Sequence, residues 1–259
     1  MKRDIEASAL IVGSPNKVNN QTLELVRRFP LFSAMSLEEC AKIIAPARIR
    51  EFDRGKTIFF EGDPIRQVIL LTSGCVKLSQ LGAQGREVIL RIIGPGETLC
   101  VQCFPKFSHC STATAVERSV ALVWAAKHFE SATERFPILG RNVSCVILQS
   151  LNQLEVRFRE VSTETVGSRL SSQLLRLVGQ VGKESDGYVE IALSQRDLAQ
   201  LTGTTLFTVS RMLSQWEDQG IVIYRRKSVR ILNVLALREI SQVKRSRVLA
   251  PYPVDESSL

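Results

Sequence analysis

The 259-residue sequence predicts an α+β protein with three parts. They are an N-terminal β-roll of the double-stranded β-helix or jelly-roll type, a long helix, and a C-terminal unit of two short helices followed by a strand hairpin. Three observations carry this. Short apolar runs punctuated by Gly recur about every ten residues from Arg48 to Trp124, the spacing of an all-β unit. An apolar stripe with steps of four and three runs from Ile147 to Val161. Around Gly203 two compact helical patterns meet in a turn of three or four residues.

Composition divides the chain into an arm over 1–20, a β-roll over 21–136, a helix over 137–161, a helix-pair-and-hairpin unit over 162–250 and a tail over 251–259. The arm shows no lasting periodicity. A short helix is expected from Gln21 to Phe29, ended by Pro30, and Ser36-Leu-Glu-Glu39 reads as a capping box opening a second through about Pro46. Strands follow at Thr57–Phe60, Val68–Thr72, Val76–Leu81, Val88–Ile93 and Val120–Val123. Ser131–Phe136 predicts a turn of helix, and the long helix begins after Pro137.

Along that helix Ile147, Leu151, Leu154, Phe158 and Val161 form an a/d seam. One amphipathic helix packing on the β-roll would show the same stripe. The polar flank of Asn152, Gln153, Glu155, Arg157 and Arg159 favours pairing with a second copy. Beyond Ser162–Thr165 come a helix over Val166–Val181, a turn over Gly182–Gly187 and a strand over Tyr188–Ala192.

The segment from Ser194 to Val222 is the most informative. Ser194 caps a helix with Asp197 three residues on, and Gly203 supplies the left-handed residue of the connector. A second helix starts near Thr205 and turns Val209, Met212, Leu213 and Trp216 inward. This is the helix-turn-helix pattern, whose second helix enters the major groove of double-stranded DNA. Thr205, Leu206, Phe207, Ser210 and Arg211 are then the base-reading candidates, with Arg211 able to offer a fork to guanine. Ser194, Gln195 and Arg196 at the first helix start are candidates for phosphate contact. Arg225, Arg226 and Lys227 tip a two-stranded wing and are phosphate candidates too.

Charge agrees. The chain carries +8, and residues 222–250 hold 8 Lys/Arg against 1 Asp/Glu, whereas residues 162–221 hold 5 against 7. Basic anchoring at the wing beside a nearly neutral reading helix fits a nucleic-acid partner. Enzyme signatures are absent: no nucleophile elbow, P-loop or dinucleotide fingerprint, and two His in all. No run of 18 apolar residues and no secretory leader is visible, so a cytoplasmic protein without a membrane span is expected.

With these residues in hand, the chain from about 25 to 240 resembles the cyclic-AMP receptor protein/fumarate-nitrate reduction regulator (CRP/FNR) family of bacterial transcription regulators. The resemblance rests on FPLFSAMSLEEC, FDRGKTIFFEGDP, ILLTSGCVKL and IIGPGET, followed by the long helix and the winged helix-turn-helix. It implies a homodimer paired through the long helix, a two-fold symmetric promoter site and RNA polymerase as a further partner. Two departures matter. Leu206 and Phe207 stand where the family places a Glu often preceded by Arg, while Thr208-Val209-Ser210-Arg211 keeps the pattern. The family's cyclic-AMP binders carry Gly-Glu-Leu followed by Arg-Ser. Here Gly96-Glu97-Thr98-Leu99 runs into Cys100, and the Arg-Ser position reads roughly Cys110-Ser111, so no cyclic-AMP response is expected.

The signal is left open among redox, metal and small-molecule chemistry. Cys100, Cys103 and Cys110, with His109 beside them and Cys75, Cys40 or Cys145 as a fourth ligand, have a spacing that an iron–sulfur cluster or another metal could use. They also read as redox thiols or as small buried residues. His128 reads as structural, with haem ligation the sharper alternative. A competing whole-chain reading is a nucleotide-type regulatory module acting on another protein, which leaves the winged unit unassigned.

Overall fold

The computed structural model describes residues 20–100 and 108–241. The expected arm and tail lie outside them, except for Asn20. Helix α1 (Asn20–Val26) and a 3₁₀ turn (Pro30–Phe32) lead to α2 (Leu37–Ile44), which opens on the expected capping box. The Ser36 hydroxyl accepts from the Glu39 amide at 3.2 Å, and the Glu39 carboxylate accepts from the Ser36 amide at 2.8 Å.

Eight strands build the roll: β1 (Arg48–Phe52), β2 (Thr57–Phe59), β3 (Gln67–Ser73), β4 (Val76–Leu81), β5 (Glu87–Ile93), β6 (Thr98–Cys100), β7 (Thr112–Ala115) and β8 (Ser119–Ala125). They form two antiparallel sheets of order β1-β8-β3-β6 and β2-β7-β4-β5. Phe52, Ile69, Leu71, Val76, Leu78, Ile93, Ala113 and Val123 fill the space between them. Three of these strands exceed the expected set, and each has a weak apolar signature. In β7 the inward residues are only Ala113 and Ala115, alternating with Thr. Strand β1 is mostly exposed, and β6 has three residues.

Helix α3 (Ala126–Arg135) is longer than the expected turn and buries Phe129 against Trp124, whose indole N–H donates to the Ile43 carbonyl at 2.7 Å. Helix α4 (Pro137–Thr163) is the long helix, and buried Asn142 pins its start by donating to the carbonyls of Leu31 and Ser33 at 3.0 and 2.9 Å.

The C-terminal unit comprises α5 (Val166–Val181), β9 (Lys183–Ser185), β10 (Tyr188–Ile191), α6 (Gln195–Thr202), α7 (Leu206–Asp218), β11 (Val222–Arg225), β12 (Ser228–Ile231) and α8 (Val234–Ile240). Two corrections arise. The stretch 183–185, expected within a turn, is a strand of three exposed residues, so the wing belongs to a four-stranded sheet of order β11-β12-β10-β9. Helix α8 was not expected; the Asn233 side chain caps it by accepting from the Ala236 amide at 3.0 Å. The core of this unit, around Leu174, Leu198, Val209, Leu213 and Trp216, is continuous with Cys75, Ile89, Ile92 and Val116 of the roll.

Candidate nucleic-acid interface

Helix α6 begins where Ser194 accepts from the Asp197 amide at 3.1 Å and the Asp197 carboxylate accepts from the Ser194 amide at 3.1 Å. It ends at Gly203 with φ +63°, the left-handed conformation that glycine adopts without a Cβ penalty. Two residues later Thr205 caps α7 by accepting from the Thr208 amide at 3.1 Å. These two caps, two residues apart, set the bend between the helices. Val209, Leu213 and Trp216 of α7 are buried, and Met212 lies under Gly167 of α5, where an added Cβ would come within 2.8 Å of the Met212 methyl.

This packing leaves Leu206, Phe207 and Arg211 outward. Phe207 is 76% exposed and Leu206 46%, an unusual outlay of apolar surface for a helix with no described partner on that side. Ser210 is half-buried beside them, and the Thr205 hydroxyl is already engaged as the cap and by the Thr208 hydroxyl at 2.9 Å. Ser194 and Gln195 are half-buried at the start of α6 and Arg196 is exposed. On the wing, Arg226 and Lys227 stand exposed in the turn between β11 and β12. Arg225 is held more tightly, donating to the Tyr224 carbonyl at 2.9 Å with Glu217 at 3.7 Å. Arg230, which carries no signal in the sequence pattern, spans Glu190 at 3.1 Å and the Tyr188 ring at 4.8 Å. Its place on β12 braces the wing from behind.

The seam of α4 is bare. Ile147, Leu151, Leu154, Phe158 and Val161 are all exposed, together with Leu148.

Cys40, Cys75, Cys110 and Cys145, the cysteines whose side chains are described, do not gather. Cys75 sits in the core between roll and head, where burial pushes its thiol far above the usual range. Cys110 is exposed and its carbonyl meets the Gln80 amide at the opposite end of β4, so it stands roughly 15 Å from Cys75 at strand rise. Sulfurs on one metal lie about 2.3 Å from it, so Cys75 is removed from the expected set. Cys40 is buried with its thiol likewise pushed up by burial, and Cys145 is exposed on α4. Cys100 ends β6, and Cys103 lies outside the described residues. Among the described residues no group of three or more His, Cys, Asp or Glu could hold a metal ion.

His109 is instead stacked on Phe59, with ring centroids 3.6 Å apart. Burial pulls its imidazole below the ordinary value, against the opposing pull of Asp63. The pair lines a cavity of about 370 Å³ with Ile58, Asp63, Arg66 and Ile69. His128 lies exposed on α3. No described helix is long and apolar enough to cross a membrane.

Residues 49–136 match the family model of the cyclic nucleotide-binding domain, and residues 168–240 match that of the Crp-like helix-turn-helix domain. The chain is 32% identical over 203 residues to a global nitrogen regulator of Synechococcus elongatus, covering 75% of this chain and 90% of that protein. A CRP-like cAMP-activated global transcriptional regulator of Mycobacterium tuberculosis is 27% identical, with 80% and 94% covered. In fold, the chain is similar to FixK2 from Bradyrhizobium japonicum with a TM-score of 0.67 at 24% identity, over 75% of this chain and 96% of that one.

Proposed function

The chain belongs to the CRP/FNR family of DNA-binding transcription regulators, and from that premise we propose that it acts as a homodimer reading a two-fold symmetric promoter site. The observation that carries this is the division of α7: Val209, Leu213 and Trp216 are buried, while Leu206, Phe207 and Arg211 are exposed, as are Arg226 and Lys227 in the wing turn. Arg211 selects guanine through its fork, and Leu206 and Phe207 take the place of polar readers, favouring thymine methyl groups over cytosine. The wing and the start of α6 (Ser194, Gln195 and Arg196) hold phosphates and set register. Pairing buries the bare seam of α4 and spaces the two reading helices about 34 Å apart, one turn of DNA. The dimer works in the cytoplasm, on promoters served by RNA polymerase.

The signal enters through the roll and is not cyclic AMP. Glu97 of the Gly-Glu loop is turned away toward the head: it accepts from Gln180 at 2.6 Å and from the Gly94 amide at 2.7 Å. Cys110-Ser111 supplies no guanidinium for a phosphate. The cavity beside His109 favours a small molecule over a metal or cluster held by the remaining Cys100, Cys103 and Cys110. A promoter fragment should shift in a gel and be competed by itself but not by random DNA; equal competition would refute base reading. Anaerobic purification should yield a colourless protein without iron or sulfide, and calorimetry should show no micromolar cyclic-AMP binding.

A further inference from the structure

Strand β5 is the edge of its sheet, paired with β4 alone, and an edge strand leaves a row of backbone groups without a ladder partner. Here that edge is covered by the head. The Gln180 amide of α5 donates to the Ile92 carbonyl at 2.6 Å, and Gln200 of α6 donates to Glu87 at 3.0 Å. Gly94, just past the strand, lies so close to α5 that a Cβ there would stand 2.5 Å from the Gln180 carbonyl oxygen.

The third tie comes from α4. Arg157 donates to the carbonyl of Leu90 and, at 3.5 Å, to that of Ile89, both on β5. The same guanidinium donates at 2.9 Å to the carbonyl of Leu201, among the last four of α6, which have no intrahelical amide to meet. A cation at a helix C-terminus is also favoured by the helix dipole. No described carboxylate lies within salt-bridge distance of it, and burial together with nearby Arg176 lowers its pKa to about 10. A guanidinium desolvated in this way acts through its geometry: three carbonyls from two elements, met by one planar fork.

We infer that Arg157 is the positioning residue of the DNA-reading head, clamping the β5 edge and the C-terminal end of α6 to the helix that carries the dimer seam. This rests on the dimeric DNA-reading function proposed above. The seam residues Leu154 and Phe158 flank Arg157 in sequence, so Arg157 links a shift in helix pairing to both β5 and the end of α6 before the Gly203 turn, beside the direct Gln200–Glu87 tie. The docked head keeps Leu206, Phe207, Arg211 and the wing turn exposed, so the clamp presents the reading face and does not cover it. It also joins a second brace across the α4–α5 joint, where Arg176 donates to both oxygens of buried Glu160 at 2.7 and 2.8 Å.

The test uses the full chain and a duplex selected by the wild type from a random pool. Arg157→Ala should weaken binding of that duplex at least fivefold while random DNA stays within twofold. Hydrogen exchange should speed up in residues 87–93 and 195–203 together and remain unchanged in the wing, 222–231. Arg157→Lys, a point charge without the fork, should recover less than half of the loss. Unchanged exchange in both segments, or tighter binding by Arg157→Ala, overturns the inference. If no duplex is enriched by the wild type, the DNA-reading function falls, and the exchange arm still decides on the clamp. Should Arg157→Ala not fold, Gln180→Leu, which releases the neighbouring tie to β5, carries the same exchange prediction.

Discussion

Lys77 on β4 stands 3.4 Å from Asp197, the residue whose carboxylate closes the capping box of α6, and 3.1 Å from Glu87 on the neighbouring strand. One ammonium thus holds a carboxylate of the roll and a carboxylate of the head together. Burial raises Glu87, but hydrogen bonds from Ser79 and Lys77 outweigh it and hold the group below its ordinary value. Lys77→Met should therefore cost about 1–3 kcal/mol near neutral pH, because two half-buried carboxylates lose their shared donor. A carboxylate depressed in the folded state contributes stability that is present above its unfolded pKa and lost as pH falls through the folded one. The gap between wild type and Lys77→Met should then be full above about pH 4.5 and close below it. Urea midpoints from pH 7 to pH 3 measure this; a gap constant across that range would show that the pair plays no such part.

Arg211→Ala should reduce discrimination between selected and random duplex by about 1–3 kcal/mol, or roughly 5- to 150-fold. Binding to random DNA should hardly change, since a base-reading fork adds little to phosphate affinity. Fluorescence anisotropy on the two duplexes separates the cases, and an equal loss on both would assign Arg211 to the backbone.

The double change Arg226→Ala with Lys227→Ala should act in the opposite sense. Both DNAs should weaken alike, and the slope of log affinity against log salt should become shallower by about 0.9 for each phosphate that is no longer neutralised. An unaltered slope would place the wing turn away from DNA.

Phe158→Asp should leave the fold of each subunit intact, since the side chain is 74% exposed, and should yield a monomer by sedimentation. Binding to a symmetric site should fall by about a hundredfold or more, because the second head loses its effective concentration. A variant that remains dimeric would move the pairing surface off this seam.

The cap of α2, the left-handed glycine of the turn and the inward residues of α7 were legible because each depends on neighbours within four positions. The seam was legible for the same reason, through its steps of four and three. Strands β7 and β9 were not. Ala113 and Ala115 are too small to mark an inward face, and Lys183–Ser185 becomes a strand only because Tyr188–Glu190 offers it a partner. Cys75 looked available as a fourth ligand from a neighbouring strand, but Cys75 and Cys110 lie near opposite ends of one sheet, a separation set by antiparallel register that spacing along the chain does not show.

By itself, then, the order of residues determined the helix-turn-helix, its outward Leu206, Phe207 and Arg211, and the basic wing, all built from short-range caps and periodicity. Only the tertiary structure decided that the head rests on the β5 edge, with Arg157 and Lys77 as its ties. Those ties join residues between 44 and 120 positions apart. Carbonyls on an edge strand carry no sequence signature, and a lone Arg on a polar helix flank looks like a solvated charge until the fold brings Leu90 and Leu201 to it.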